Sequence, residues 1–416
     1  MSGQSVSNQS VSDQSIRAGL LETADRCVKC GLCLPHCPTY RIKEDEAESP
    51  RGRIALIQGL AQGALAGSPK LWGHLANCLE CRACEAACPS LVAFGSLMDA
   101  ARDLQSRSSS PWRRWRERIR LRLLSNRKGA AAAAFLSRFY RGSGLGLLIG
   151  RLGLPVGSRL WAYHRVAMRL DRDRPSPGGR NSCPTCTQEV ALFLGCVAPA
   201  MQPGLSRAAR DVLERVGYRV RIPDSQCCCG AMHRHNGFPS EADRLLVQNA
   251  SAFSDLRVVV TASACAAELR SHPGMGNAVE ICRLLADLKW PPGAGLQPLP
   301  ALVVVHEPCS HRNLLHDTDA IYALLRRIPK LEILPLEENA FCCGAAGTYL
   351  LDNPMLSFSL LAAKIGFLKA LNADFLVTSN TGCALHLAAG VREGGLNLEV
   401  LHPVELIARQ LASRSA

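Results

Sequence analysis

The chain has 416 residues, of which 47% are hydrophobic, so it is long enough for more than one domain with its own buried core. Its 20 cysteines would suggest disulfides in a secreted protein, but the polar N-terminus does not resemble a signal peptide, so we expect a reducing, cytoplasmic environment. The formal net charge is +13, and no apolar run of about 18 residues argues for a membrane-spanning helix.

The first residues repeat a polar Gln-Ser-Val-Ser theme. Segments with so few apolar side chains cannot bury enough surface to offset the entropy of ordering. Residues 1–14 are therefore predicted to be a disordered tail, followed by a helix that begins near Ile16.

Two copies of the pattern C-x2-C-x2-C-x3-C-P follow, in residues 27–38 and 78–89. This is the spacing with which thiolates hold [4Fe–4S] clusters in two-cluster ferredoxins, where the fourth cysteine of each run ligates the other cluster. The pattern thus predicts two [4Fe–4S] clusters with interleaved ligands. The first is assigned to Cys27, Cys30, Cys33 and Cys88, and the second to Cys78, Cys81, Cys84 and Cys37.

Zinc is the alternative, because paired C-x-x-C units are also zinc spacings. A tetrahedral zinc site needs only two such pairs and leaves the third and fourth cysteines of each run unexplained. Iron–sulfur chemistry is therefore favoured, and zinc would instead indicate a non-redox, metal-binding assembly protein.

Between the two runs, Ile54, Ile57 and Leu60 recur at helical spacing. Residues 15–105 are therefore predicted to form a helical ferredoxin domain. Arg51 and Arg53 lie between the runs, where they would raise the potential of a cluster, pair with a carboxylate on a partner, or simply face solvent.

Residues 106–187 are predicted to be a basic linker, because the segment from Arg107 to Arg180 contains 18 Lys/Arg and only three acidic residues. The Trp112–Leu124 segment is amphipathic, which suits either a helix at an anionic bilayer surface or a solvated connecting helix. Nucleic acid is not expected, since the segment lacks the interleaved aromatic platform or the recognised fold that would favour nucleic-acid binding. The glycine-rich stretch 142–153 is interpreted as linker, and the C-x-x-C pair of Cys183 and Cys186 as incidental thiols.

The remainder is predicted to be a duplicated α/β unit, with repeat 1 in residues 188–298 and repeat 2 in residues 299–416. Each copy reads C…CCG…C, with cysteines just past apolar strands, at the sheet edge where parallel folds bind ligands. Each Cys-Cys-Gly is expected to precede a helix whose dipole stabilises thiolate. The candidate metal ligands are Cys196, Cys228, Cys229 and Cys265 in repeat 1, and Cys309, Cys342, Cys343 and Cys383 in repeat 2.

The predicted fold class is thus α/β multidomain, with an N-terminal α-helical two-cluster ferredoxin domain followed by a duplicated α/β parallel-sheet cysteine-rich (CCG) region. No G-x-G-x-x-G lies between a strand and a helix, so FAD or NAD is not expected on this chain. Cys227 and Cys282 have no role in the repeat scheme.

Together with the ferredoxin runs, four segments resemble the iron–sulfur subunits of glycolate oxidase, also called glycolate dehydrogenase; they are residues 50–53, 228–236, 341–349 and 380–387. The resemblance implies two FAD-binding partner subunits of the glycolate oxidase type, on which glycolate becomes glyoxylate. Electrons would pass from the flavin through the clusters here to the quinone pool, with peripheral contact at the cytoplasmic face of the inner membrane. Because flavins accept electron pairs and clusters pass single electrons, this division of labour is chemically sound.

Related alternatives are the iron–sulfur subunits of anaerobic glycerol-3-phosphate dehydrogenase and of lactate utilisation complexes. Heterodisulfide-reductase-like thiol catalysis is a further alternative, but such repeats often end in C-x-x-C, whereas these end in Cys265-x-x-Glu268 and Cys383-x-x-His386. A further iron–sulfur cluster in the repeats therefore stays open, with His386 as a substitute ligand.

Overall fold

The computed structural model describes residues 3–155, 157–169, 188–254 and 256–411. Cys183 and Cys186 lie outside these ranges, so their interpretation as incidental thiols stays a prediction.

The N-terminal part is helical, as the sequence predicts. Its core joins Leu20, Ile57 and Leu97, with Met98 also fully buried. Proline in the first turn and serine N-caps start two of the helices: Ser49 Oγ accepts from Gly52 N, and Ser68 Oγ accepts from Leu71 N. The helices are α1 (Gly3–Ala24), α2 (Pro38–Lys43), α3 (Pro50–Ala61), α4 (Pro69–Ala76), α5 (Ala83–Ala86) and α6 (Phe94–Ser108), with a 3₁₀ turn at Glu46–Glu48.

Helix α1 begins at Gly3, well before the predicted start near Ile16. Leu20 and Ala24 anchor its C-terminal half in the core. Since the segment before them contains no proline, nothing in the sequence stops the helix from extending toward the N-terminus. The prediction of a disordered tail rested on the polar composition and did not include this N-terminal extension of α1.

The basic segment forms four helices: α7 (Pro111–Ser125), α8 (Arg127–Gly142), α9 (Leu145–Leu152) and α10 (Arg159–Arg169). The expectation of linker in residues 142–153 is wrong, because α9 occupies most of that stretch. A Cβ on Gly146 would lie 2.4 Å from Met168 Sδ, so this glycine permits α9 to pack closely against α10. Close packing outweighs the low helix propensity of glycine here.

Repeat 1 contains a parallel sheet of strand order β2-β1-β3-β4, with Val190 of β1 opposite Val220 of β2. Its elements are β1 (Gln188–Phe193), α11 (Ala198–Met201), α12 (Pro203–Arg215), β2 (Tyr218–Arg221), α13 (Ala231–Arg234), α14 (Pro239–Phe253), β3 (Arg257–Val260), α15 (Ser263–Arg270), a 3₁₀ turn (Pro273–Met275), β4 (Val279–Glu280) and α16 (Ile281–Asp287).

Repeat 2 has the same topology, β6-β5-β7-β8, also parallel. Its elements are β5 (Ala301–Val305), a π-helical turn (His311–Leu315), α17 (Asp319–Leu325), β6 (Leu331–Pro335), α18 (Tyr349–Asp352), α19 (Pro354–Lys369), β7 (Phe375–Val377), α20 (Thr381–Glu393), β8 (Glu399–Leu401) and α21 (Pro403–Gln410). The sequence analysis predicts apolar strands before the cysteines of each C…CCG…C pattern, and β4 and β8, which precede none of these cysteines, were not predicted.

The two repeats share one hydrophobic core, to which Val190 and Leu213 contribute from repeat 1, and Val303 and Leu324 from repeat 2. The duplicated half is therefore one packed unit in which the two sheets are held together. Among the helices described, none has the length and apolar content needed to cross a bilayer.

Candidate metal centres

The first predicted set of thiols lines a small cavity of about 30 Å³. Cys27, Cys30 and Cys33 lie in the loop after α1, and Cys88 follows α5. Gly31 has φ +86°, and a Cβ there would lie 2.8 Å from Arg51 Nη1, so the loop closes tightly around the cavity. The structure thus brings together the four residues assigned to one cluster; that they bind it stays a prediction.

The second set, Cys37, Cys78, Cys81 and Cys84, is also brought together, and Cys84 of α5 lines the cavity of the first set as well. Burial raises the pKa of the Cys84 thiol well above its ordinary value, and the nearby Cys81, Cys78 and Cys37 raise it further. Without a metal, burial keeps these crowded thiols neutral. A bound metal cation stabilises their thiolate form, because a coordinating thiol is deprotonated outright. The residues fit an iron–sulfur cluster, with Cys37 contributed by the first run.

Arg53 is enclosed beside this second set, with 1% of its surface exposed. Its Nη2 donates to Glu48 Oε2 at 2.6 Å, its Nε donates to the His74 carbonyl at 2.8 Å, and its Nη1 lies 3.9 Å from Cys37 Sγ. Burial opposes its charge, yet Cys78, Cys37 and Glu48 together raise its pKa, so it stays a cation. A surface role for Arg53 is therefore excluded.

Arg51 behaves differently from Arg53, although only one residue separates them. Its Nε pairs with Glu46 Oε1 at 2.6 Å, and both side chains are substantially exposed. Arg51 Nη1 also donates to the Lys29 carbonyl at 3.3 Å, and Arg51 lines the cavity of the first thiol set, so this side chain lies at the surface beside the cluster loop.

The helical ferredoxin part contacts repeat 1 through a charged network. Arg102 donates from Nη2 to the Cys78 carbonyl at 2.7 Å and from Nη1 to the His235 carbonyl at 2.6 Å. His235 pairs with Glu80 and with Asp99, and despite desolvation by burial, which lowers it, the nearby Glu80 and Asp99 carboxylates raise the pKa of His235 to about 10. The imidazolium and the carboxylates thus hold the two parts together beside Cys78.

The same part contacts repeat 2 next to its thiols. Asn313 Nδ2 donates to the Cys81 carbonyl at 2.8 Å, and Tyr349 Oη donates to the Asn77 carbonyl at 2.9 Å. Cys81 and Cys309 pack against one hydrophobic cluster, which contains Leu79, Cys342, Tyr349, Leu356 and Leu360. The second ferredoxin site and the thiols of repeat 2 are therefore neighbours.

The first CCG site consists of four thiols near the carboxyl edge of the first sheet. Cys196 Sγ and Cys228 Sγ are 3.6 Å apart, Cys228 is hydrogen-bonded to Cys229, and Cys229 to Cys265. Gly230 has φ +100°, and a Cβ there would lie 3.0 Å from the Ala242 carbonyl oxygen, so the loop needs glycine to pack on α14. All four predicted ligands come together.

The second CCG site repeats this arrangement. Cys309 Sγ and Cys342 Sγ are 3.9 Å apart, and hydrogen bonds link Cys342 to Cys343 and Cys343 to Cys383. Both CCG sites thus present a contiguous set of thiols that could bind a metal group, and which of them does so stays a prediction.

The expected helix after each Cys-Cys-Gly is only partly present. The four-residue α13 follows Gly230, whereas a loop runs from Gly344 until α18 begins at Tyr349. Hydrogen bonding to Cys228 and burial raise the pKa of Cys229 well above its ordinary value. Hydrogen bonds from Cys196 and Cys229, by contrast, hold the pKa of Cys228 well below its ordinary value. The expectation of a helix directly after the motif therefore holds for repeat 1 and is wrong for repeat 2.

A cavity of about 2330 Å³ connects both CCG sites with helix α7 and with the ferredoxin interface. Cys228 and Cys265 line it from repeat 1, and Cys309 and Cys383 line it from repeat 2. The candidate metal ligands of the duplicated half therefore face a common space.

His386 is not among the grouped ligand atoms of the second site. Its Nε2 is 3.3 Å from Ser357 Oγ, and its ring packs against Phe358 with a centroid distance of 5.7 Å. This favours a satisfied polar residue over the substitute ligand suggested by the sequence. Among the other cysteines that the structure describes, Cys227 Sγ is 3.4 Å from the Leu245 carbonyl. Cys282 is hydrogen-bonded to Glu280 and forms, with Glu280 and His402, a separate buried group whose ligand atoms lie within 4.8 Å of one another.

Sequence comparison shows which known proteins share these features. The family profile of the 4Fe-4S dicluster domain matches residues 23–92, and the profile of the cysteine-rich CCG domain matches residues 190–270 and 303–388. The probable glycolate oxidase iron-sulfur subunit of Bacillus subtilis is 30% identical over 410 residues, which is 92% of each chain. The glycolate oxidase iron-sulfur subunit of Escherichia coli is 28% identical over 92% of this chain and 93% of its own length.

A second group of relatives matches less of the chain. Lactate utilization protein A of Shouchella clausii is 27% identical over 234 residues, which cover 98% of that protein but only 52% of this one. The full arrangement of ferredoxin part and duplicated half is thus shared with the first group.

Proposed function

Because the chain belongs to the family of glycolate oxidase iron–sulfur subunits, we propose that it carries electrons from a partner flavoprotein to a quinone-type acceptor. The observation that carries this proposal is the contact between the second ferredoxin site and the second CCG site, at Cys81 and Cys309. Electron transfer falls steeply with distance, so neighbouring metal sites in a buried setting form a continuous route.

The proposed reaction of the complex is the oxidation of glycolate to glyoxylate on FAD of a partner chain, with two FAD-binding subunits of the glycolate oxidase type. The flavin takes up a hydride, and the two electrons leave it one at a time. This chain contributes two [4Fe–4S] clusters and no flavin or nicotinamide of its own, and it works in the cytoplasm. The match over 92% of the chain favours glycolate over lactate, whose matching relative spans about half of it.

The test is substrate-driven reduction of the clusters. The full chain, assembled with its flavoprotein partners and kept without oxygen, is mixed with glycolate, lactate or glycerol 3-phosphate while cluster absorbance is recorded. We expect rapid bleaching with glycolate and none when the flavoproteins are omitted. Faster reduction by lactate or glycerol 3-phosphate would assign the chain to one of the alternative complexes.

A third iron–sulfur cluster is proposed for the second CCG site. Cys309, Cys342, Cys343 and Cys383 form its thiol set, and three of them are almost fully buried. Its place next to Cys81 would let it extend the route beyond the ferredoxin part. Thiol catalysis of the heterodisulfide reductase type is the lesser candidate, favoured only by the large cavity that both CCG sites face.

Peripheral contact with an anionic membrane is proposed for helices α8 to α10. No acidic residue occurs between Glu117 and Asp171, a stretch with eleven Lys/Arg. Exposed apolar side chains with arginines and no acids match the apolar interior and anionic surface of such a membrane. The exposed apolar residues are Phe135, Leu136, Phe139, Leu145, Leu147, Leu148, Leu152, Leu160 and Tyr163.

Helix α7 is less suited to this role than the sequence suggests. Leu121 is fully buried, and Arg120 donates two hydrogen bonds to Asp352, at 2.9 and 2.7 Å. Arg118 pairs with Glu241 at 2.6 Å. One side of α7 therefore packs on the duplicated half, and its exposed large apolar side chains are Leu123 together with Trp112 and Trp115, which stack 4.7 Å apart.

Vesicle cosedimentation tests the membrane contact. The triple variant Phe135→Ser, Leu136→Ser and Phe139→Ser should lose binding to vesicles that contain anionic lipid, and high salt should weaken binding of the wild type. Val247→Ser removes an equally exposed apolar side chain from α14 and should bind normally. A membrane role for this face would be contradicted if the triple variant bound vesicles as the wild type does. It would also be contradicted if the triple variant still bound vesicles but no longer bound the flavoprotein partners.

A further inference from the structure

The second CCG site contains a buried imidazole that the cysteine pattern does not include. A ring nitrogen of His306, Cys343 Sγ and Cys383 Sγ all lie within 4.8 Å of one another. His306 is 1% exposed and directly follows strand β5. Among the described residues, no thiol of the first CCG site belongs to a comparable group.

The hydrogen bonds of His306 leave one nitrogen available. Its backbone N donates to the Val377 carbonyl at 2.9 Å, and its Nδ1 lies 3.0 Å from Thr378 Oγ1. Within the part of the chain that the structure describes, Nε2 has no hydrogen-bond partner although it is buried. A hydrogen bond at one nitrogen that orients the other toward a metal is the usual arrangement of histidine ligands.

The two repeats differ at this position. His306 lies three residues before Cys309, and Phe193 lies three residues before Cys196. Phe193 packs with Cys196, Cys228 and Cys229 in the core of repeat 1. A phenyl ring offers no ligand atom, so the matching positions provide an imidazole in the second site and none in the first.

We propose that His306 is a nitrogen ligand of the metal group at the second CCG site, bound together with Cys343 and Cys383. The inference rests on the further cluster proposed above. A neutral imidazole ligand adds no negative charge, so an iron–sulfur centre that it ligates has a higher potential than one held by thiolates alone. A higher-potential centre next to Cys81 draws electrons from the ferredoxin part into the duplicated half.

The test is pulsed EPR for nitrogen coupling, together with iron and acid-labile sulfide content, on the full chain purified without oxygen. Wild-type protein should contain more than the roughly eight irons of two ferredoxin clusters. Its additional signal should show coupling to nitrogen that changes when histidine is labelled with ¹⁵N. His306→Ala should lose both the coupling and the additional iron.

His386→Ala is the matched control, since it removes a second buried histidine of repeat 2, and it should retain iron and coupling. An additional cluster without histidine coupling, or with coupling that persists in His306→Ala, would overturn the assignment of His306 alone. About eight irons in the wild type would overturn both the third cluster and this ligand. The wild-type spectrum decides the matter even where His306→Ala does not fold.

Discussion

Serine at position 37 is expected to remove the cluster of Cys78, Cys81 and Cys84, although Cys37 belongs to the other cysteine run. The Cys37 thiol is buried beside these three cysteines, and its Sγ lies 3.9 Å from Arg53 Nη1. Cys37→Ser should therefore lower the iron content by about four atoms per chain. The matching variant Cys88→Ser should remove the cluster of the first run and lower the iron content by the same amount.

Double variants identify which cluster each cysteine serves. Cys27→Ser with Cys88→Ser should lose no more iron than either single variant, because both thiols line the same cavity. Cys27→Ser with Cys37→Ser should lose about eight irons, since two clusters are affected. Cys282→Ser, at a buried cysteine outside both sets, should lose none. The reverse pattern in the two double variants would show that each run holds its own cluster.

Removal of Arg53 is expected to destabilise the ferredoxin part strongly. Arg53→Met leaves Glu48 buried without its cationic partner, and breaking such a pair typically costs about 3–5 kcal/mol. His74 and Asn77, which also contact Glu48 at 2.9 and 2.7 Å, moderate the loss. The change in the free energy of unfolding is measured by denaturant unfolding of the full chain, with cluster absorbance as the signal.

Arg51→Met is the control for this prediction. It breaks the exposed pair with Glu46, which contributes about 0–1 kcal/mol. The double variant Arg53→Met with Glu48→Gln should recover much of the lost stability, because it leaves no uncompensated buried charge. Equal effects of Arg51→Met and Arg53→Met would contradict the importance of burial.

The features that local spacing encodes could be predicted from the sequence. Cysteine spacing indicates the thiol sets, and apolar runs before Cys196 and Cys309 indicate the parallel strands. Strands β4 and β8 were not predicted, because strands of two or three residues are too short to show a periodic pattern of apolar residues. Helix α9 was not predicted because its glycines suggested a linker, whereas Gly146 permits close packing against Met168 of α10.

Features that depend on pairing across the fold could not be predicted. The burial of Arg53 arises from contacts with Glu48 and His74 that the sequence alone does not reveal. His306 approaches Cys343 and Cys383 because β5 pairs with β7, far along the chain. The one sequence signal for it was its position three residues before Cys309, where repeat 1 has Phe193.

Iron and acid-labile sulfide per chain, measured with EPR of the dithionite-reduced protein, test the central claim that this chain transfers electrons through iron–sulfur clusters. The protein must be purified without oxygen. We expect a brown protein with at least about eight irons and interacting [4Fe–4S] signals. A colourless protein that contains zinc and no reducible cluster would contradict the account.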